Sequence, residues 1–259
     1  VAPPHVPPFL LTGLALLIGS LPAWPRWREW RIPLSTLAIG VYGLFGFHFL
    51  LFIALRNAPA VEANLVNYLW PLLIVVLAPL IVRGVKLRAV HVLAALVGFV
   101  GAGLAIVGGR ELQGGLAWGY LPALGSAFIW ASYSLLTKRV AHFPTSAIGL
   151  FGLVSGLLAL GCHAALEPSV SLSAKDWGLI ALMGLGPLGA AFFLWDKALK
   201  LGDPRTIGIL SYITPLASTV LLVLVTGRSF TTWIALAAAL LIGAAVGGMR
   251  ARPCAEAPA

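Results

Sequence analysis

Residues 61–82 read VEANLVNYLWPLLIVVLAPLIV. The stretch is long and apolar enough to cross a bilayer as a helix, which takes ~20 residues. Its first half nevertheless carries Asn64, Asn67, Tyr68, Trp70 and Pro71. Positions 64, 67, 68 and 71 share one helical face by the i, i+3, i+4, i+7 spacing. Pro71 has no N–H, so the carbonyl of Asn67, four residues back, loses its helical donor. A polar, aromatic and locally broken face at membrane depth is tolerated only against protein or a water-filled cavity. This helix is therefore expected to form one wall of a substrate pathway.

A second copy lies 144 residues later, where Asp203–Val225 reads DPRTIGILSYITPLASTVLLVLV. Tyr68 and Pro71 match Tyr212 and Pro215 at that offset, which also pairs Gly40 with Gly184, Phe49 with Phe193 and Leu72 with Leu216. One shared Tyr-x-x-Pro would be chance. A constant, ungapped register across two spans argues for an internal repeat.

Composition excludes a soluble domain. Of 259 residues, 60% are hydrophobic and only 10% charged, with a mean hydropathy of +0.98. That is the composition of an all-helical polytopic membrane protein. The net charge of +9 does not indicate nucleic acid, because the basic residues sit in short loops between apolar spans. Cys162 and Cys254 form no metal or redox motif. Nine spans are expected, at 6–22, 34–55, 61–82, 89–108, 116–137, 146–166, 177–198, 204–226 and 231–249.

Lys and Arg set the orientation. One side holds Arg26, Arg28, Arg31, Arg83, Lys86, Arg88, Lys138, Arg139, Lys197, Lys200, Arg205, Arg250 and Arg252; the other holds Arg56, Arg110, Lys175 and Arg228. The positive-inside rule makes the richer side, and the C-terminus, cytoplasmic, and places Val1 outside. The second repeat spans 115–250 and contains five spans, whereas the first, 1–110, contains four; 251–259 forms a cytoplasmic tail. The partner of 116–137 would precede residue 1, so the expectation is a missing first span and an intact arrangement of ten. Five spans per repeat invert the halves relative to each other. Inverted repeats mark secondary transporters, with the site near the midplane between the halves.

With Asn-Tyr-Leu-Trp-Pro-Leu in one half and Ser-Tyr-Ile-Thr-Pro-Leu in the other, the chain resembles the EamA-type branch of the drug/metabolite transporter superfamily. The resemblance covers the whole chain and, through Val61–Leu73, is nearest to the bacterial aromatic amino acid exporters of that branch. It implies a ten-helix transporter in the bacterial inner membrane that exports small amphipathic metabolites, aromatic and other neutral amino acids foremost, by alternating access. Its partners would be that small-molecule substrate and the lipid bilayer, with the oligomeric state left open, a monomer included. A drug or nucleoside cargo in the same fold is the alternative.

The candidate substrate contacts are His48, Asn64, Asn67, Tyr68, Trp70, Trp130, Tyr133, Ser211 and Tyr212. His48 lies deep in its span, where an ionisable group usually faces the bundle interior; it is either a substrate-facing, proton-sensitive group or a neutral histidine bonded to a neighbouring helix. Tyr68, Trp70 and Trp130 could stack on a ring or simply pack helices. Pro71 and Pro215 free the carbonyls of Asn67 and Ser211 for a substrate ammonium group, or only kink their helices for gating. Trp24, Trp27 and Trp30, among Arg26, Arg28 and Arg31, read as an interfacial collar. Trp195, Asp196 and Lys197 read as a helix end.

No Asp or Glu falls at mid-span, as a proton-driven antiporter would usually require. The sequence has no phosphate-binding loop, no nucleophile–base pair, and no metal or cofactor constellation. An intramembrane enzyme is therefore disfavoured; a purely structural subunit is the remaining rival. The driving force is expected to be the substrate's own gradient, or exchange.

Overall fold

The computed structural model describes residues 5–107, 112, 115–226 and 231–250. Arg110, Glu111, Arg228, Arg252, Cys254 and the rest of the tail lie outside the described residues. Among the described residues nine helical spans follow one another: α1 (Pro8–Trp30), α2 (Leu34–Asn57), α3 (Ala60–Ile81), α4 (Ala89–Val107), α5 (Tyr120–Leu136), α6 (Ala147–Leu166), α7 (Ala174–Leu201), α8 (Pro204–Val225) and α9 (Thr232–Arg250). Eight of them are at least 18 residues long and apolar enough to cross a membrane. The ninth, α5, has 17 residues, the short end of the range a bilayer accepts. All nine correspond to expected spans. The largest extension is in α1, whose α-helix ends at Ser20 and continues as a 3-10 stretch, Leu21–Trp30. Two of the three tryptophans read as a collar, Trp24 and Trp27, are exposed there. Trp30 differs: it is half-buried and donates its indole N–H to the Ser146 carbonyl at 2.9 Å.

Helices α1 and α6 pair along their lengths, as do α4 and α9. Between these pairs, α5 packs on α2 and on both halves of α3, and the first half of α8 packs on the second half of α3.

Four further spans, α2, α3, α7 and α8, are irregular, and their irregularities match in register. In α2, π-helix over Tyr42–Gly46 interrupts α-helix; in α7 the π segment is Gly186–Ala190. The two segments are 144 residues apart at both bounds. Helix α3 is α-helical over Ala60–Asn67 and again over Trp70–Ile81, while α8 is α-helical over Pro204–Ser211 and again from Ile213. The first segments of α3 and α8 are also 144 residues apart at both bounds.

Close packing at α2 depends on glycine. A Cβ at Gly43 would lie 2.2 Å from Cγ of Tyr133, and one at Gly40 would lie 2.2 Å from Cγ of Phe151. Only hydrogen at these positions lets the two rings reach the helix backbone.

Buried charges sit at the ends of the bundle. The Glu167 side chain, fully buried, accepts from the backbone N–H groups of Phe9 and Leu10 at 3.1 and 3.2 Å, from Arg56 at 2.6 Å and from His163 at 3.0 Å. It thereby satisfies orphan donors at the start of α1 and ties α1, α2 and α6 together. At the opposite, basic end, Asp203 accepts from the Arg205 backbone N–H at 2.8 Å and pairs with the Arg205 guanidinium. Burial alone would raise the Asp203 carboxyl pKa; the Arg205 bonds and charge outweigh it and hold the value below the ordinary one. Arg205 also donates to the Lys86 carbonyl, linking the α7–α8 turn to the α3–α4 loop.

Two stability outcomes follow from this packing. Gly43→Ala must displace the Tyr133 ring and should cost about 1–3 kcal/mol, whereas Gly161→Ala, with nothing within 4 Å of the added carbon, should leave the melting midpoint in detergent unchanged or higher. Equal midpoints for the two variants would refute the close-packing account. Glu167→Ala strands two helix N–H groups and Arg56, for a loss of about 2 kcal/mol or more; Arg56→Ala, at a side chain 45% exposed, should lose clearly less in the same melt.

Candidate functional site

Seven rings gather between the two halves of the chain. Trp130 of α5 is central, with ring centroids 5.4 Å from Phe47, 5.4 Å from Tyr133, 5.6 Å from Phe192, 5.9 Å from Trp195 and 6.4 Å from Trp70. Trp70 also meets Trp195 edge-on at 5.4 Å, and His48 meets Phe192 at 6.2 Å. These tilted and edge-to-face arrangements are the ones aromatic quadrupoles favour.

The backbone irregularities place the rings. Phe47 and His48 directly follow the π segment of α2; Phe192 and Trp195 follow that of α7; Trp70 follows the break in α3. Single-turn π segments inside α-helices are frequent at functional sites. His48 and Phe192 are themselves 144 residues apart, so equivalent positions of the two repeats face each other.

The polar groups around the rings are hydrogen-bonded. Ser134 donates to the Trp130 carbonyl at 2.7 Å and accepts from the Trp195 indole N–H at 3.1 Å, which ties the Trp195 indole to the helix that carries Trp130. His48 is buried, with Nδ1 2.6 Å from the Leu44 carbonyl of its own helix. A carbonyl can only accept, so Nδ1 carries the proton. The partner expected on a neighbouring helix is instead one turn back on α2. Asn67, buried on α3, accepts from Ser126 of α5 at 2.8 Å, one turn from Trp130.

The structure thus brings His48, Trp70, Trp130 and Tyr133 into one cluster, with Asn67 beside it. Asn64 is half-buried on the preceding turn of α3. Tyr68 and Tyr212 belong to a second cluster, with Phe99, Ala102, Leu216 and Leu241. Tyr212 is fully buried and accepts from the Leu72 backbone N–H at 3.2 Å. Ser211 donates to the Ile207 carbonyl of its own helix at 2.7 Å. Pro71 and Pro215 are both buried, each a few residues past its break.

Sequence reasoning missed Phe192 and Trp195. The repeat offset could have found Phe192, because it is the counterpart of His48. Trp195 was read as part of a helix end; instead α7 runs on to Leu201, and the π segment rotates everything after it.

Around the cluster the packing is tight. Beside Phe192 lies about 170 Å³ of unfilled space, bounded also by Leu16, Leu44 and Phe193, too narrow to admit a water molecule. A wider groove of about 390 Å³ opens at the basic end, lined by Pro22, Ala23, Arg26, Thr145, Ser146 and Phe193. Phe193 borders both. The arrangement can present ring faces and edges to an apolar or aromatic group. No group of three or more His, Cys, Asp or Glu side chains suited to a metal occurs among the described residues.

Known proteins resemble the chain along most of its length. An aromatic amino acid exporter, YddG, of Ancylobacter novellus is 40% identical over 95% of this chain and 90% of its own length. The YddG aromatic amino acid exporter of Salmonella typhimurium is 29% identical over 67% of this chain and 62% of its own. A solved structure titled "Crystal structure of protein" superposes with a TM-score of 0.88 at 38% identity, covering 95% of this chain and 88% of that one. The EamA-like transporter family matches residues 1–107 and 117–249. The chain is a polytopic helical membrane protein and belongs to the EamA-like transporter family.

Proposed function

We propose that this protein exports aromatic and other neutral amino acids across the bacterial inner membrane by alternating access between two inverted repeats, 1–110 and 115–250. The observation that carries this reading is the ring cluster around Trp130, built from helices of both repeats beside their irregular segments. The names of the relatives point the same way.

In this reading the basic face is cytoplasmic. A substrate enters the groove beside Arg26, whose charge attracts a carboxylate, and passes Phe193 to reach the rings. Trp70, Trp130 and Trp195 then part to take an aromatic side chain in place of one another. The ammonium group is met by carbonyls at the α3 break and by Asn67. Pro71 and Pro215 keep the two breaks from healing into continuous helix. No charge must change at mid-membrane, so transport is facilitative and runs down the substrate's own gradient.

In liposomes reconstituted with the protein, labelled tryptophan or phenylalanine should show saturable flux without a pH gradient. Collapse of that flux by a protonophore, at a fixed amino acid gradient, would refute the facilitative mechanism. Absence of any aromatic flux would move the cargo to a drug or nucleoside. Trp130→Ala should raise the half-saturation concentration for tryptophan at least about tenfold, the loss of one or two ring contacts, while a residual leucine flux changes less. Equal losses for both substrates would mean that Trp130 only holds the fold.

A further inference from the structure

Tyr212 and Tyr68 occupy equivalent positions of the two repeats but are used differently. The Tyr212 hydroxyl accepts from the Leu72 N–H, across the repeats, in the first turn after the α3 break. Its ring fits against Gly98, where an added Cβ would lie 2.5 Å from Cδ2. Tyr68 is half-buried, and its hydroxyl makes no hydrogen bond among the described residues. The mirrored partner of Tyr68 would be the N–H of Leu216, since Leu72 and Leu216 are separated by the same 144 residues. Tyr68 and Leu216 already pack against the same buried group, Ala102, Tyr212 and Leu241.

The breaks themselves are unequal. In α3 two residues, Tyr68 and Leu69, separate the α-helical segments; in α8 only Tyr212 does. The wider break is the one that receives a tyrosine hydroxyl. An N–H freed at membrane depth needs an acceptor, so a break can open only as far as one is supplied.

We infer that Tyr68 and Tyr212 are reciprocal positioning residues: Tyr212 holds the α3 break open in the state described here, and in the oppositely facing state Tyr68 caps Leu216 and holds the α8 break open. As one hydroxyl engages, the other is released, so only one break is wide at a time. Asn64 is the counterpart of Gly208, where an added Cβ would lie 3.1 Å from the Pro71 carbonyl; in the oppositely facing state the mirrored contact sets the Asn64 side-chain amide against the Pro215 carbonyl. The inference rests on alternating access but not on the identity of the cargo.

Hydrogen–deuterium exchange of the substrate-free protein in liposomes, read at Leu72 and Leu216, tests it. Tyr212→Phe should speed exchange at Leu72 and slow it at Leu216, each by about three- to tenfold, the range of one net hydrogen bond. Tyr68→Phe should do the reverse. Gly98→Ala, which crowds the Tyr212 ring without touching either hydroxyl, should act in the direction of Tyr212→Phe. A merely structural Tyr212 would change Leu72 alone and leave Leu216 indifferent to every variant, which would overturn the inference, as would both amides moving together. Because no substrate is present, a wrong cargo leaves this measurement unaffected, and a failed exchange leaves the flux result standing.

Discussion

A backbone N–H inside a bilayer must find its acceptor within the protein, and the irregular parts of this bundle are shaped by that demand. Pro71 removes one donor and opens α3; the Leu72 N–H exposed there is taken by a tyrosine hydroxyl from the other repeat. At the start of α1, the donors of Phe9 and Leu10 are taken by a carboxylate from the end of α6. Elsewhere the side chains fold back: Ser132, Ser134 and Ser211 each donate to a carbonyl four residues earlier in their own helix. Such bonds satisfy the hydroxyl in an apolar medium and bend the helix slightly. At the α3 break, the bond that takes up the freed donor crosses from one repeat to the other.

The same irregularities give the ring cluster its position. A π segment carries one extra residue per turn, so the side chains that follow it are rotated by about 100° relative to an uninterrupted α-helix. Phe47, His48, Phe192 and Trp195 all follow such segments. A shift of either segment would therefore turn rings toward or away from Trp130 while leaving the α-helix on each side intact. Ser134 links Trp195 to the helix that carries Trp130, so α7 and α5 cannot shift independently without breaking a buried hydrogen bond.

Much of this was legible in the sequence. All nine spans could be read from hydropathy alone, and the ungapped offset of 144 residues foretold the paired breaks at Tyr68 and Tyr212. The ring cluster was legible only in part. His48, Trp70, Trp130 and Tyr133 stood out because polar or aromatic groups at mid-span are conspicuous. Phe192 did not, because phenylalanine is as natural to lipid as to a binding site. Trp195 was misplaced because it stands near the end of the span that hydropathy marks, 177–198, whereas the helix runs on to Leu201. Nor could the sequence separate Tyr68 from Tyr212: the two share one motif, and only the packing at Gly98 and the hydroxyl on Leu72 distinguish them.

The distribution of charge argues for a neutral switching element. The buried carboxylates of Glu167, Asp176 and Asp196 are committed respectively to the start of α1, to the Ser173 cap with His5, and to Thr145 with Lys200. Moving any of them toward mid-membrane would mean desolvating a charge, which is among the largest penalties a membrane protein can meet. Aromatic rings and single hydrogen bonds carry no such penalty. Exchanging one tyrosine–amide bond for its counterpart breaks one neutral bond and makes another, so the two facing states can lie close in free energy. A carrier whose states are nearly balanced needs no coupled ion to cycle; the gradient of its cargo sets the direction.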